Sequence, residues 1–90
     1  MAEASRIVVV PNDQGLHARP VMRFVDLASR FQSRVFVKRG DRQVDGKNPM
    51  EMMLLEATKG TQLEVVAEGD DADGAVGALA TLIQEGFGEM

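Results

Sequence analysis

The sequence has no cysteine, tryptophan or tyrosine, and its 90 residues include one histidine. A chain without cysteine has no disulfide, no thiol nucleophile and no thiolate metal ligand, and this composition fits a reducing compartment. A transition-metal site would need carboxylates around a single imidazole. We therefore predict that the chain holds no metal and uses no cofactor.

Long apolar runs and an overall positive charge are missing as well. No run approaches the ~18–20 apolar residues of a membrane span, and the start MAEASRIVVV lacks the basic and apolar regions of a signal peptide. These features predict a cytoplasmic location without membrane insertion. The net charge of −4 argues against a nucleic-acid partner. We interpret one local basic cluster as a solvated strand and turn; its members are Arg34, Lys38, Arg39, Arg42 and Lys47.

The length fits a single domain over residues 1–90, because 90 residues cannot fill two independent cores. The apolar fraction of 44% is ordinary for a globular protein. All four aromatic residues are Phe. We therefore expect a core made mainly of Val, Leu, Ile, Ala and Met.

The spacing of apolar residues predicts seven elements in the order β-α-β-β-α-β-α. Residues 6–10 and 61–68 are predicted strands, and residues 33–46 a hairpin. A helix is predicted after the histidine, a short one after residue 48, and a last one that ends at Gly86. Short connections favour an α+β fold, an antiparallel sheet with its helices on one face. The expected buried helix positions are Val21, Phe24, Val25, Ala28, Phe31, Ala75, Val76, Leu79, Leu82 and Ile83.

Two helix starts carry clear signals. Asn48 can cap the short helix, Pro49 suits its first position, and Glu51 can reach back as in a capping box. The acidic segment 70–73 favours the start of the last helix, because carboxylates oppose the positive end of the helix dipole.

The stretch QGLHARP, residues 14–20, places His17 where a loop becomes a helix. Gly15 permits a sharp turn, and Pro20 suits the first helical turn, whose N–H groups lack intrahelical partners. We therefore predict His17 at, or just before, the first residue of the helix.

This position favours phosphoryl chemistry. The N–H groups of Ala18 and Arg19 predict an anion site at the helix start, and the Arg19 guanidinium can bind phosphate oxygens. The positive helix end disfavours imidazolium, so we expect His17 to be neutral near pH 7 with a ring nitrogen able to attack. The residues alone leave another interpretation open, in which His17 is a polar capping residue and Arg19 a surface charge.

GLHARP resembles the active-site motif of the HPr family, the histidine-containing phosphocarriers of the bacterial phosphoenolpyruvate-dependent phosphotransferase system. The resemblance covers almost the whole chain, including the hairpin, the Met-rich short helix and KGTQLEVVAEG. It implies an open-faced β-sandwich, with four antiparallel strands and three helices on one face.

The resemblance also implies a mechanism. His17 would accept phosphate on Nδ1 from phosphorylated enzyme I and pass it to enzyme II components of the A type, while Arg19 neutralises the phosphoryl oxygens. Such a chain is a relay protein and not an autonomous enzyme.

Two alternatives stay open at this point. ARPVMRFVDLASRF and KGTQLEVVA also resemble NPr, the nitrogen-related branch of the family. The chain could thus be a regulatory module whose partner binding depends on the phosphorylation state of His17. In the other alternative it is a plain adaptor with a vestigial histidine.

A second family site falls at the start of the short helix. Regulated members carry a serine there that an ATP-dependent kinase phosphorylates, whereas this chain has Asn48. Asparagine keeps the capping function and cannot accept phosphate. We therefore predict neither kinase control nor the corepressor role at this position.

The sequence also predicts two exposed apolar surfaces, one near His17 and one on the sheet. The family's partner-contact positions match Met22, Pro49, Met50 and Met53, which predicts an exposed apolar collar near His17, whereas Met52 and Leu55 are predicted core. Flexible methionine side chains suit a protein that docks on several partners. Phe36 and Val66 are predicted on an uncovered sheet face that is available for dimerisation or a crystal contact, and a monomer is the expected state.

Overall fold

The computed structural model describes residues 2–88 and forms one layer of sheet covered by helices on one side. The strands are β1 (Glu3–Val9), β2 (Arg34–Arg39), β3 (Arg42–Asp45) and β4 (Gln62–Glu68), and the helices are α1 (Ala18–Ala28), α2 (Pro49–Met53) and α3 (Ala72–Gln84), followed by a 3-10 turn over Gly86–Gly88.

The sheet has the order β1-β4-β2-β3, and every neighbouring pair is antiparallel. β4 lies between β1 and β2, where Val65 pairs with Arg6 on one side and Val37 on the other. This is the predicted α+β fold, an open-faced sandwich with four strands and three helices. The hairpin of β2 and β3 also turns at Gly40 as expected.

The core forms between the helices and the inner face of the sheet. Alternate residues of β2 and β4 enter it, as the period of two predicts: Val35, Val37, Leu63, Val65 and Ala67 are all buried. The predicted stripes of α1 and α3 are buried too, except that Phe31 and Leu82 are half-buried at its margin. Met52 and Leu55 are core residues, as predicted.

The structure corrects four details of these expectations. β1 begins at Glu3 and not at residue 6, because pairing with β4 extends to Glu68. Phe87, which the sequence does not mark as core, is fully buried with a positive φ of 58°. Glu51 does not accept the Asn48 N–H as in a capping box, because that N–H donates to the Asp45 carbonyl at 3.1 Å. The Glu51 carboxylate instead accepts the Asp45 N–H at 3.1 Å and the Asn48 side-chain amide at 3.4 Å.

The fourth correction concerns the outer face of the sheet. Phe36 and Val66 do lie outside the core, but Val66 is buried because the register places it between Ser5 and Phe36. Phe36 is half-buried, with the Arg34 guanidinium 5.7 Å from its ring centre. The exposed apolar side chains of this face are instead Ile7 and Val9, on the edge strand.

The basic cluster of residues 34–47 mostly binds the chain's own backbone. Arg39 donates to the carbonyl of Leu55 at 2.7 Å, and Arg42 donates to the carbonyl of Leu54. Lys47 donates to the carbonyl of Phe31 at 2.8 Å. These cations thus donate hydrogen bonds to carbonyl groups just after the C-terminal ends of α1 and α2.

The far end of α1 is closed by a carboxylate. Asp71, the residue before α3, accepts the N–H groups of Gln32 and Ser33 at 2.8 and 2.9 Å, and the hydroxyl of Ser33 donates to it as well. The Ser33 hydroxyl, followed by the Gln32 N–H, holds the pKa of Asp71 below its ordinary value of 3.8. Asp71 therefore clamps the α1–β2 loop and does not cap its own helix.

Candidate functional site

His17 is the N-cap residue of α1, as predicted. Its backbone is extended, with φ −92° and ψ −173°, and its carbonyl accepts the N–H of Val21 at 3.1 Å. The imidazole does not cap the helix and is half-exposed. The ring is therefore accessible beside the first-turn N–H groups of Ala18 and Arg19, at the positive end of α1.

The loop before His17 owes its shape to Asn12 and Gly15. The buried side-chain amide of Asn12 donates to the carbonyl of Gly15 at 2.8 Å, and the Gly15 N–H donates back to the Asn12 carbonyl at 3.1 Å. Gly15 has φ +65°, and a Cβ there would lie 2.3 Å from the carbonyl oxygen of Ala57. Only glycine fits this approach.

A second loop, between α2 and β4, supports the first one. Leu16 donates its N–H to the carbonyl of Ala57 at 2.8 Å, and Val10 exchanges backbone hydrogen bonds with residues 60 and 61 at 2.8 and 2.9 Å. The loops also share an ion pair, in which Lys59 Nζ lies 2.8 Å from Asp13 Oδ1. The hydrogen bond from Lys59 lowers the pKa of Asp13. The position of His17 is thus fixed by contacts far away in sequence.

The two loops, α1 and the C-terminal 3-10 turn surround an open depression of about 660 Å³. Three cationic side chains line it, together with one carboxylate and the imidazole; the lining residues are Pro11, Asn12, Asp13, Gln14, His17, Arg19, Arg23, Lys59 and Gly88. With a neutral imidazole the lining carries two net positive charges, although the whole chain carries −4. The depression suits a small anion with two negative charges.

Sequence reasoning placed His17 and Arg19 in this site but missed Arg23, Lys59 and Asp13. Arg23 had a local signal, because it lies four residues after Arg19 and helical residues at this spacing share a face. Lys59 had none, because its position depends on the pairing of two loops that are distant in sequence.

Three of the four predicted collar residues are exposed on α1 and α2, which pack against each other. Met50 is 80% exposed, and Met22 and Met53 are about half as exposed, at 47% and 43%. Pro49 is half-buried. Leu54, which the sequence analysis did not include, is 60% exposed directly after α2. The collar hereafter means Met22, Pro49, Met50 and Met53.

Asn48 performs the capping role that the sequence predicts. It is the N-cap residue of α2, and its side-chain oxygen accepts the N–H of Glu51 at 3.1 Å. Pro49 is the first helical residue. The side chain at this position is therefore engaged in holding the helix start.

No group of three or more acidic or histidine side chains within residues 2–88 is arranged to bind a metal ion. No helix in that range is long and apolar enough to cross a membrane.

Comparisons of the sequence and of the structure with known proteins indicate the same family. Residues 4–85 match the family model described as the PTS HPr component phosphorylation site. The phosphocarrier protein HPr of Neisseria meningitidis serogroup A is 43% identical over 82 residues, which cover 91% of this chain and 92% of that protein.

Two solved structures are similar over nearly the full length. The crystal structure of HPr-C-His from Thermoanaerobacter tengcongensis has a TM-score of 0.90 and 39% identity, and the match covers 100% of this chain and 99% of that one. The phosphocarrier HPr of Bacillus anthracis has a TM-score of 0.88 and 34% identity, with 93% and 100% covered. The chain therefore belongs to the HPr family, the phosphocarriers of the phosphotransferase system, and its function is to carry phosphoryl groups in that system.

Proposed function

We propose that His17 is the residue that carries the phosphoryl group. The observation that supports this most is its location: the only imidazole of the chain stands at the N-cap of α1 on the wall of a depression with two net positive charges. The glycine, hydrogen bonds and ion pair described above hold the loop that carries it. A preorganised site of this kind stabilises a developing anion without reorganising during the reaction.

The reaction exchanges one nitrogen–phosphorus bond for another bond at phosphorus. The lone pair of the His17 Nδ1 forms a bond to phosphorus while the bond from phosphorus to enzyme I breaks and leaves its electron pair on enzyme I. The phosphoryl oxygens keep their negative charge throughout, and Arg19 and the first-turn N–H groups of Ala18 and Arg19 bind them. In the second transfer a nucleophile of an enzyme II component of the A type forms a bond to phosphorus, while the bond from phosphorus to Nδ1 breaks and leaves its electron pair on His17.

This role needs a donor and an acceptor protein, since the phosphoryl group on His17 has to come from a phosphorylated partner and leave to another one. The chain is therefore a carrier with a phosphohistidine intermediate, not an autonomous enzyme. We further propose that it works as one domain over residues 1–90, as a monomer, in the cytoplasm. The surface predicted for dimerisation is small, because Val66 is buried and Phe36 half-buried; the exposed apolar side chains of this face are Ile7 and Val9.

The collar is proposed as the surface on which donor and acceptors dock. Its three methionines are exposed although they are apolar, and exposed apolar clusters mark sites of protein contact. Methionine adapts its shape, which suits partners with different surfaces. Leu54 extends this surface beyond the residues predicted from sequence.

Control by phosphorylation at the start of α2 is excluded from this proposal. Asn48 has no hydroxyl group, and its side chain already accepts the Glu51 N–H.

Incubation with phosphoenolpyruvate and enzyme I tests the proposal. The expected product carries one acid-labile, base-stable phosphate, and the His17→Ala variant carries none. Addition of an enzyme II component of the A type should then discharge the wild-type chain. A stable phospho-form that transfers to no acceptor would instead support a regulatory module, and phosphate on the His17→Ala variant would refute the assignment.

A further inference from the structure

The depression also contains a second arginine, Arg23, to which the proposed reaction assigns no role. Arg23 is an exposed residue of α1 and lines the same depression as His17 and Arg19. It lies four residues after Arg19. Residues at this spacing share one face of a helix, and helical side chains lean toward the N-terminus. The Arg23 side chain therefore extends back toward Arg19 and His17.

The position of its guanidinium supports this direction. A Cβ built on Gly88 would lie 2.8 Å from Arg23 Nη1. Gly88 is itself part of the wall of the depression. The guanidinium thus lies along this wall, in contact distance of the C-terminal 3-10 turn, and does not extend away into solvent.

Arg19 and Arg23 are placed unfavourably for the stability of the helix alone. Like charges at this spacing repel each other, and Arg19, in the first turn, also opposes the helix dipole. No acidic residue occurs in the first turn of α1. Within residues 2–88 no ion pair joins either arginine to a carboxylate, whereas Lys59 is paired with Asp13. A bound dianion would remove this repulsion.

We propose that Arg23 is a second arginine that binds the phosphoryl group on His17, and that Lys59 contributes less because Asp13 already neutralises it. This inference rests on the proposed function of His17. The charges agree, since Asp13 cancels Lys59 and the two arginines together match a phosphoryl dianion. Arg23 then binds the oxygens of the phosphoryl group that His17 carries.

The test measures the protonation of the phosphoryl group itself. The phospho-form is prepared with enzyme I and phosphoenolpyruvate from the wild type and from the variants Arg23→Gln, Arg23→Lys, Lys59→Gln and Arg30→Gln. Arg30 is exposed just beyond α1 and outside the depression, so Arg30→Gln is a control for the loss of one charge. The phosphorus NMR signal is followed against pH at low salt.

A nearby cation favours the dianion, so removing it raises the pH at which the phosphoryl group takes up a proton. Arg23→Gln is expected to raise that midpoint by about half a pH unit, the effect of a unit charge ~6 Å away in water. Lys59→Gln should raise it less, Arg30→Gln should leave it nearly unchanged, and Arg23→Lys should restore most of the wild-type value. The Arg23 effect should shrink at ~1 M salt.

The outcomes test the role of Arg23 and the phosphorylation of His17 separately. If the wild type carries phosphate on His17 and Arg23→Gln shifts the midpoint no more than Arg30→Gln, the role of Arg23 is refuted and His17 is unaffected. If Lys59→Gln gives the larger shift, the assignment to Arg23 is also wrong. If the wild type takes no phosphate on His17, the proposed function fails first. Equal melting temperatures for the variants exclude a folding defect as the cause.

Discussion

The two ends of α1, about 16 Å apart along the helix axis, are built in opposite ways. At the C-terminal end, the loop to β2 is clamped by the Asp71 carboxylate, which accepts three hydrogen bonds from Gln32 and Ser33. Gly69 adds close packing there, since a Cβ on it would lie 2.7 Å from the Ser33 hydroxyl. At the N-terminal end, the first turn has no acidic residue and no side-chain cap.

The C-terminal end of α1 stabilises the fold, and the N-terminal end is arranged to bind an anion. The Asp71 end satisfies its polar groups internally, and Ser33 is almost completely buried. The His17 end leaves cations facing an open depression, an arrangement that costs helix stability and that an incoming anion compensates. Rigid loops around His17 keep this end in shape although its electrostatics favour a ligand.

The largest expected effect of a substitution is at Gly15. Gly15→Ala should lower the free energy of unfolding by about 3 kcal/mol, because it adds a collision with Ala57 to the cost of a left-handed alanine. Gly40→Ala is the matched control, since Gly40 has a similar φ of +57° and no atom within 4 Å of the added Cβ. It should cost only about 1 kcal/mol.

Urea unfolding measures both variants, and the rate of phosphorylation by enzyme I measures the displacement of His17. Gly15→Ala should slow phosphorylation, and Gly40→Ala should leave it unchanged. Equal losses of stability would show that the packing of the two loops does not shape the His17 end.

A smaller effect is expected at the collar, beside the open end of α1. Met50→Asp should lower kcat/KM for phosphoryl transfer from enzyme I about tenfold, or ~1.4 kcal/mol, through lost apolar contact and a buried charge in the complex. Stability should hardly change, because Met50 is 80% exposed. Steady-state transfer assays give the ratio.

Ile7→Asp provides the control for this substitution. Ile7 is 59% exposed on the outer face of the sheet, so the variant adds the same charge to an exposed apolar position away from α1 and α2. Its transfer rate should equal that of the wild type. Unchanged transfer by Met50→Asp would contradict docking at the collar.

A smaller loss of stability than that of Gly15→Ala is expected at neutral pH from Asp71→Asn. The pKa of Asp71 is lowered in the folded chain, so its contribution to stability is fully present above the ordinary value of 3.8. That contribution is lost as the pH falls through the folded pKa. The variant should therefore be less stable than the wild type near pH 7, and the difference should narrow below pH 3.8.

Asp13→Asn allows the two ends to be compared under the same conditions. The pKa of Asp13 is lowered too, but its pair with Lys59 has exposed side chains, so screening by solvent and salt should make its contribution smaller. Urea unfolding against pH gives both curves. If Asp13→Asn lowered the free energy of unfolding more than Asp71→Asn does, the His17 end of α1 would be the more stabilised one, contrary to this account.

The sequence predicts those structural features that are determined by residues close together in the chain. The stripe of α1, the strands β2 and β4 and the cap at Asn48 follow from periodicity and capping residues, and they are confirmed. The burial of Phe87 depends on a turn after α3 that no periodicity marks. The local sequence places Asp71 at a helix start, whereas the N–H groups that its carboxylate accepts lie 38 and 39 residues earlier.

The same limit applies to the candidate site. His17 and the first turn of α1 were predictable, because Gly15 and Pro20 fix the local geometry around them. Lys59 reaches the depression only because the α2–β4 loop binds the β1–α1 loop through Leu16 and Ala57. Interactions of this kind are specified by the tertiary fold and leave no pattern within either segment.

The most direct test of the whole account is the amide spectrum of the ¹⁵N-labelled chain before and after phosphorylation by enzyme I and phosphoenolpyruvate. The account predicts that the N–H signals of Ala18 and Arg19 move most, while those of Gln32 and Ser33, held by Asp71 at the other end of α1, stay in place. Stoichiometric phosphorylation that leaves Ala18 and Arg19 unmoved would contradict the placement of the phosphoryl group at the start of α1.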